Sequence, residues 1–309
     1  LNPDRPGFCD IATYLKLPRE PETWLVKPLI PTGGAALLYG EAKLGKSYLA
    51  AQLAAAIAGQ YDEWLGFPIN QHGVVLYLQL DTPRSVWAHR FNELCHRGSI
   101  DLSNPNFKLA DRDSIEHYPF DILQPDHMKY LHAIVQAHMP VTTVIIDTLR
   151  EAHTGEENSS TDTRNVLVNI TAACHPAAVI LVSHARKPHP EIERDIMNDH
   201  RGSDQVVARM DAIMRLTKTR LYYAGRSIEQ DNIRLERLDS GFWRPVVSDD
   251  EKRIMDDIMI SPFHQTMREK ARAIAPKLAI TEEAAMSRLR RLMSKQKQRV
   301  TQLEVQLAQ

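Results

Sequence analysis

Cysteine is scarce in this 309-residue chain. Cys9, Cys95 and Cys174 are the only three, widely spaced and without a C-x-x-C pair. That excludes a disulfide framework and a thiolate zinc site, and it points to a reducing, cytoplasmic setting. No apolar run approaches the ~20 residues that cross a bilayer, so no membrane partner is expected. No signal peptide stands at the start, and a chain opening on Leu1 rather than Met is expected to lack its native N-terminus. The thirteen histidines show no ligand spacing. Net charge is also small, at -1, but it is unevenly divided. Residues 261–309 hold ten Lys/Arg against four acids, so that end is basic and the remainder acidic. Such a separation suits a tail that faces a polyanion or a partner.

What is present suits a globular protein: 43% hydrophobic and 25% charged residues. Ala35–Tyr39, Val74–Leu78, Val144–Ile146 and Val179–Val182 read as buried strands, and Phe107–Ala110 as a short one. Between them lie helical patterns. Leu49, Leu53 and Ile57 share one face; so do Trp87, Phe91, Leu94 and Cys95, after a Pro83 suited to a first turn. Met128, Leu131 and Val135 mark a third helix, and residues 166–174 a fourth, after a polar loop from Glu151 to Asp162. Apolar strands alternating with helices predict an α/β fold, a mainly parallel sheet covered on both faces. Strands near 211–217, 220–224 and 232–238 lack intervening helices and read as an antiparallel extension. The expected domains are a lead-in over 1–21, a core over 22–248 and a basic helical region over 249–309.

Gly40-Glu41-Ala42-Lys43-Leu44-Gly45-Lys46-Ser47 fits G-x-x-x-x-G-K-[ST] and falls between a strand and a helix. Glycines let successive N–H groups curl toward phosphate oxygens, and the helix that follows turns its positive end to the same anion. Lys46 is expected to reach the β- and γ-phosphates and Ser47 to offer its hydroxyl to Mg²⁺, with Tyr48 completing the cradle. Asp147, closing the Val-Ile-Ile strand, is the natural carboxylate for the same Mg²⁺. No Asn-Lys-x-Asp base-reading motif of the Ras type occurs.

Further matches flank this loop. They are Trp24-Leu25-Val26, Pro31-x-Gly33-Gly34, Leu65-Gly66-Phe67-Pro68, Val74-Val75-Leu76-Tyr77, Asp81-Thr82-Pro83 with Arg90-Phe91, Ile145-Ile146-Asp147-Thr148, Ser183-His184 and Arg201-Gly202-Ser203. In this order the chain resembles, over about 22–245, the RecA-like ATPases grouped around the plasmid replicative helicase RepA. The resemblance implies a RecA-like P-loop fold, ATP hydrolysis with Mg²⁺, a homo-oligomer with a hexamer foremost, and single-stranded DNA in a central channel. It places Asp81 where the family's water-activating carboxylate stands, usually Glu; Asp81 is also well placed to cap a helix. It gives His184 a contact to the γ-phosphate or the water, and it makes Arg201 a finger projected into a neighbour's ATP site. Arg226 is a weaker second candidate for that finger.

The channel loops implied by the resemblance would be roughly 149–164 and 185–203. The first is acidic, and the second mixes both signs. In the tail, 267–275 reads as a helix, Pro276 breaks it, and Thr281 caps a second helix through Met286, Leu289 and Met293. Two short helices across a tight turn resemble a helix-turn-helix able to hold duplex DNA; a small bundle packed on the main domain fits the same pattern. Two functions from different classes follow: a DNA-stimulated ring motor, or an ATP-gated binding module with slow hydrolysis. A small-molecule kinase is a third and weaker fit.

Overall fold

The computed structural model describes residues 10–16, 23–98, 100–101, 103–186, 199–200, 204–226, 228–246, 267–275, 285–286 and 289. The first elements are α1 (Ile11–Lys16), β1 (Trp24–Val26), β2 (Ile30–Pro31), β3 (Ala35–Gly40), α2 (Lys46–Ala55), β4 (Glu63–Trp64) and β5 (Phe67–Pro68). Next come β6 (Val74–Gln79), α3 (Arg84–Gly98), β7 (Phe107–Asp111), α4 (Pro125–Ala137), β8 (Val141–Asp147), α5 (Ser160–Cys174) and β9 (Ala178–His184). The last are α6 (Gln205–Arg209), β10 (Ala212–Leu216), β11 (Arg220–Gly225), β12 (Ile228–Arg237), β13 (Trp243–Pro245) and α7 (Met267–Ile274).

Nine strands form one sheet in the order β13-β12-β11-β10-β3-β9-β8-β6-β7. From β10 to β7 every neighbouring pair is parallel; β11, β12 and β13 add on antiparallel. The antiparallel extension expected from the sequence is present, with β13 added at its outer edge and β10 joining it to the parallel part. β10 lies parallel to β3, in register from Ala212 opposite Ala36 to Leu216 opposite Gly40. It is reached from β9 through a connection that contains α6, whose five residues carry too little periodicity to read as a crossover helix.

β3 is buried at every position, as a parallel strand covered on both faces must be. Alternate residues feed two cores. Leu38, Tyr77, Ile145 and Val182 pack with α2 and α3, while Leu37, Tyr39, Ile146 and Leu181 pack with α4 and α5. Each fully buried aliphatic side chain contributes about 1.5–3 kcal/mol relative to leaving it in water. α2 is almost wholly buried, and its alanines at 50, 51, 54 and 55 let it lie flat on the sheet. β1 and β2 form a small ladder whose Leu25, Val26 and Ile30 join the α2-side core.

α5 begins at Ser160, six residues before the apolar pattern does. Its first turns are polar, and the Ser159 side chain caps them by accepting the Asp162 amide at 3.2 Å. α7 forms where expected, with Ala271 and Ile274 buried. The second tail helix lies outside the described residues, apart from Ala285, Met286 and Leu289, which are helical. Among the described residues no helix is long and apolar enough to cross a membrane.

Candidate functional site

The parallel strands β3, β6, β8 and β9 all end on the same side of the sheet, where open α/β sheets receive ligands. Residues 41–45 leave β3 there and turn into α2. Two glycines make the turn possible. A Cβ on Gly40 would sit 2.3 Å from the Leu216 carbonyl oxygen on β10, and Gly45 has φ +93°. Gly45 takes the N-cap position without supplying a side chain, and α2 has no acid in its first turn. The first N–H groups of the helix are thus open to an anion.

Lys46 is buried, and its ammonium donates to the carbonyls of Gly40 at 3.0 Å and Glu41 at 2.8 Å. Its Nζ stands 3.4 Å from His184 Nδ1, because Gly40 and His184 are register partners on β3 and β9. Burial lowers the Lys46 pKa to about 8, against the opposing pull of Asp147, Asp81 and Glu41. The structure thus brings Lys46, Ser47, Asp81, Asp147 and His184 together at one end of the sheet.

Asp147 is fully buried at the end of β8. Tyr77, two residues before the end of β6, donates its hydroxyl to Asp147 Oδ2 at 2.7 Å. Burial pushes the Asp147 carboxyl above its ordinary range; hydrogen bonding from Ser47 and Tyr77 and the Lys46 charge pull it down, and Asp81 adds to the rise. Tyr77 is held well above its usual value by burial and by the Asp147 charge, so it stays a donor. Asp147 Oδ1 is buried without a hydrogen-bond partner. A hydroxyl beside a carboxylate with an unused oxygen is a hard-oxygen pair that fits Mg²⁺. Among the described residues no three His, Cys, Asp or Glu side chains converge as a metal cage, so the remaining ligands of such an ion would be water and phosphate.

Asp81 follows β6 and is exposed. Among the described residues its side chain accepts no hydrogen bond. The amide that a capping Asp81 would take, that of Arg84 at the start of α3, donates instead to Asp113 Oδ2 at 3.0 Å, while Gln79 Oε1 accepts the Thr82 amide at 2.7 Å. Asp81 nevertheless acts electrostatically on both Lys46 and Asp147. Gln79 itself was not singled out from the sequence. It is buried, lies opposite Asp147 in the β6–β8 register, and leaves its Nε2 without a partner. Its one signal is a lone polar side chain at an inward position of an apolar strand.

Arg201, Gly202 and Ser203 lie outside the described residues, as do residues 187–198 of the loop after β9. That loop is closed at its base by an Ala185–His200 bridge, by the Arg186 amide donating to the Asp199 carbonyl at 2.8 Å, and by His200 Nε2 at 2.9 Å from the Ser183 hydroxyl. In the first loop, Arg150 is bound to Glu157 at 3.5 Å and donates to the His153 carbonyl at 2.9 Å. Arg226 pairs with Asp211 at 3.5 Å, beside the start of β10. This is the opposite end of the sheet from the phosphate loop, so Arg226 cannot serve the site of its own subunit.

Residues 4–190 match the AAA domain family. The match ends before β10, although the sheet continues to β13. No curated protein matches the sequence. Among solved structures, the ATPase domain of G40P is similar at 13% identity and a TM-score of 0.51, covering 69% of this chain and 85% of that one. The KaiC-like protein PH0186 from the hyperthermophilic archaeon Pyrococcus horikoshii OT3 is similar at 14% identity and a TM-score of 0.49, covering 72% and 93%. At such identities likeness extends to the fold, which is RecA-like.

Proposed function

The chain belongs to the AAA domain family and is a RecA-like P-loop ATPase, and from that premise we propose that it is a ring-forming motor whose ATP hydrolysis is stimulated by DNA. The observation that carries the ATPase part is the meeting of Lys46, Ser47, Asp81, Asp147 and His184 at the ends of four parallel strands. The oligomer and the DNA rest on the resemblance to the RepA group and on the basic tail.

In this reading the phosphates lie on the amides of 41–48, and Lys46 exchanges its two loop carbonyls for the β- and γ-phosphates. Ser47 and Asp147 would hold Mg²⁺, with Tyr77 fixing the carboxylate. When bound, the ion neutralises charge on the phosphate oxygens. Asp81 takes a proton from the attacking water, and His184 contacts the γ-phosphate. Charge developing in the transition state is met by groups already in place. Residues 22–248 act as the ATPase domain and 249–309 as its DNA- or subunit-facing extension. A second reading, an ATP-gated binding module with slow hydrolysis, is favoured by two features: Asp81 is one methylene shorter than Glu, and the first channel loop is acidic. ATPase rate with and without single-stranded DNA, measured beside mass in solution, separates the two. A monomer indifferent to DNA would remove the motor.

The Lys46 pKa gives a pH signature. In nucleotide-free protein the ammonium is lost as pH rises through about 8, and the triphosphate needs the charged form. ATP affinity should therefore be level well below that pH and fall above it, by up to about tenfold per unit, the limit for one linked proton. Lys46→Ala should flatten the profile. The sign for folding is opposite. An unfolded lysine keeps its proton to 10.5, so stability of the free protein should rise with pH between about 8 and 10.5.

If Arg201 completes a neighbour's site, Arg201→Ala should lower turnover while leaving nucleotide affinity nearly intact, since a finger acts on transition-state charge. Mixed with Lys46→Ala, it should regain part of the activity, because some interfaces then join a sound phosphate loop to a sound finger. Confirmed mixing without rescue would exclude a trans role.

A further inference from the structure

The groups assigned to the γ-phosphate and the metal all stand on the β6–β8–β9 side of the phosphate loop. A triphosphate laid along the loop with its γ end there directs its nucleoside to the other side, toward the antiparallel edge. That side is built with aromatic and cationic groups. β12 runs in the same direction as β3, so the turn from β12 to β13 lies at the phosphate-loop end of the sheet.

Trp243, first residue of β13, donates its indole N–H to the Gly45 carbonyl at 3.2 Å. Gln52 of α2 fixes it further, exchanging two hydrogen bonds with its backbone at 2.9 and 3.0 Å. Arg237, last residue of β12, lies with its guanidinium 4.8 Å from the centroid of the Tyr48 ring. It comes so near the loop that a Cβ on Gly45 would stand 3.1 Å from its Cζ. The Gly241 backbone packs against the same ring, so closely that a Cβ there would stand 2.5 Å from it. Arg237 is exposed, and among the described residues it has no carboxylate partner; the neighbouring Glu236 is bound to Arg244.

We propose that Arg237, backed by Tyr48, is the seat of the nucleobase, taking it by stacking on the guanidinium plane. A planar, weakly hydrated cation already laid on an aromatic face suits a second flat π system. Stacking is tolerant of base identity, since every base has a π face. The proposal rests on Lys46 and its neighbours being the phosphate site. It goes beyond that reading by naming the group that recognises the nucleoside.

The test compares calorimetric binding of Mg-ATP and of Mg-tripolyphosphate, which lacks the nucleoside, to the full-length wild-type chain, Arg237→Ala and Arg237→Lys. Arg237→Ala should weaken ATP roughly tenfold, the scale of one lost stacking contact, and leave tripolyphosphate within about twofold. Arg237→Lys keeps the charge without the plane and should resemble Arg237→Ala. Equal loss for both ligands, full recovery by lysine, or no loss at all would each overturn the proposal. Circular dichroism of each variant separates a lost fold from a lost contact, and nucleotide quenching of tryptophan fluorescence in the folded variants, compared with the same chains carrying Trp243→Phe, gives a second readout. Wild-type chain that binds neither ligand would overturn the phosphate site as well.

Discussion

Lys46→Ala should abolish nucleotide turnover, with a loss of roughly a thousandfold or more, the upper range for removing one charge-stabilising donor. The reason lies in where the ammonium is held. It is buried against the loop carbonyls of Gly40 and Glu41, within 3.4 Å of His184, and in the field of both Asp81 and Asp147. No exposed lysine nearby can replace a cation fixed at that point. The fold itself should survive. Burial already disfavours the charge, so the variant loses a costly ion along with two hydrogen bonds. Its melting temperature should stay near that of the wild type while single-turnover rates vanish. Near-normal kcat in a folded variant would refute the phosphate-loop reading.

Much of this site was legible because its parts lie on local patterns. The phosphate loop sits between strand and helix within one stretch of sequence, and Asp147 ends a run of β-branched residues that could only be a buried strand. The fold was legible for the same reason: β3, β6, β8 and β9 each contain an apolar run of three or more residues. What escaped is non-local. β13 is three residues long and contains Pro245, too little for any periodicity, yet Trp243 ties it to Gly45 and Gln52. Arg237 and Tyr48 are neighbours in space but far apart in sequence, and neither carries a signal of the other. β10 pairs antiparallel with β11 as the sequence suggests, but its parallel pairing with β3 depends on a connection through α6, a helix of five residues that carries no periodicity. Gln79 reads only as one polar residue after an apolar run; the register sets it opposite Asp147, with its Nε2 buried and without a hydrogen-bond partner.

Asp81→Asn should keep ATP binding and lower kcat by roughly a hundredfold, the range of a lost general base. Two arrangements competed at this residue. A cap would hold the first turn of α3, and its loss would appear as lower stability, of about 1 kcal/mol, with turnover intact. The geometry does not favour the cap: Asp113 Oδ2 takes the Arg84 amide, and the Asp81 carboxylate is exposed and acts on Lys46 and Asp147 through its charge. Asparagine retains size and hydrogen-bonding capacity, so a cap would tolerate it while a base would not. Thermal melts and steady-state kinetics on the same preparation therefore read the two roles apart. Asp81→Glu sharpens the comparison. Glutamate lengthens the side chain by one methylene, toward the residue usual in the RepA group, and should hold or raise turnover if reach to the water is what limits Asp81. If Asn leaves kcat unchanged, the catalytic carboxylate lies elsewhere; if Glu also abolishes turnover, the short side chain is itself required, and the water must approach closer to the end of β6 than a longer acid allows.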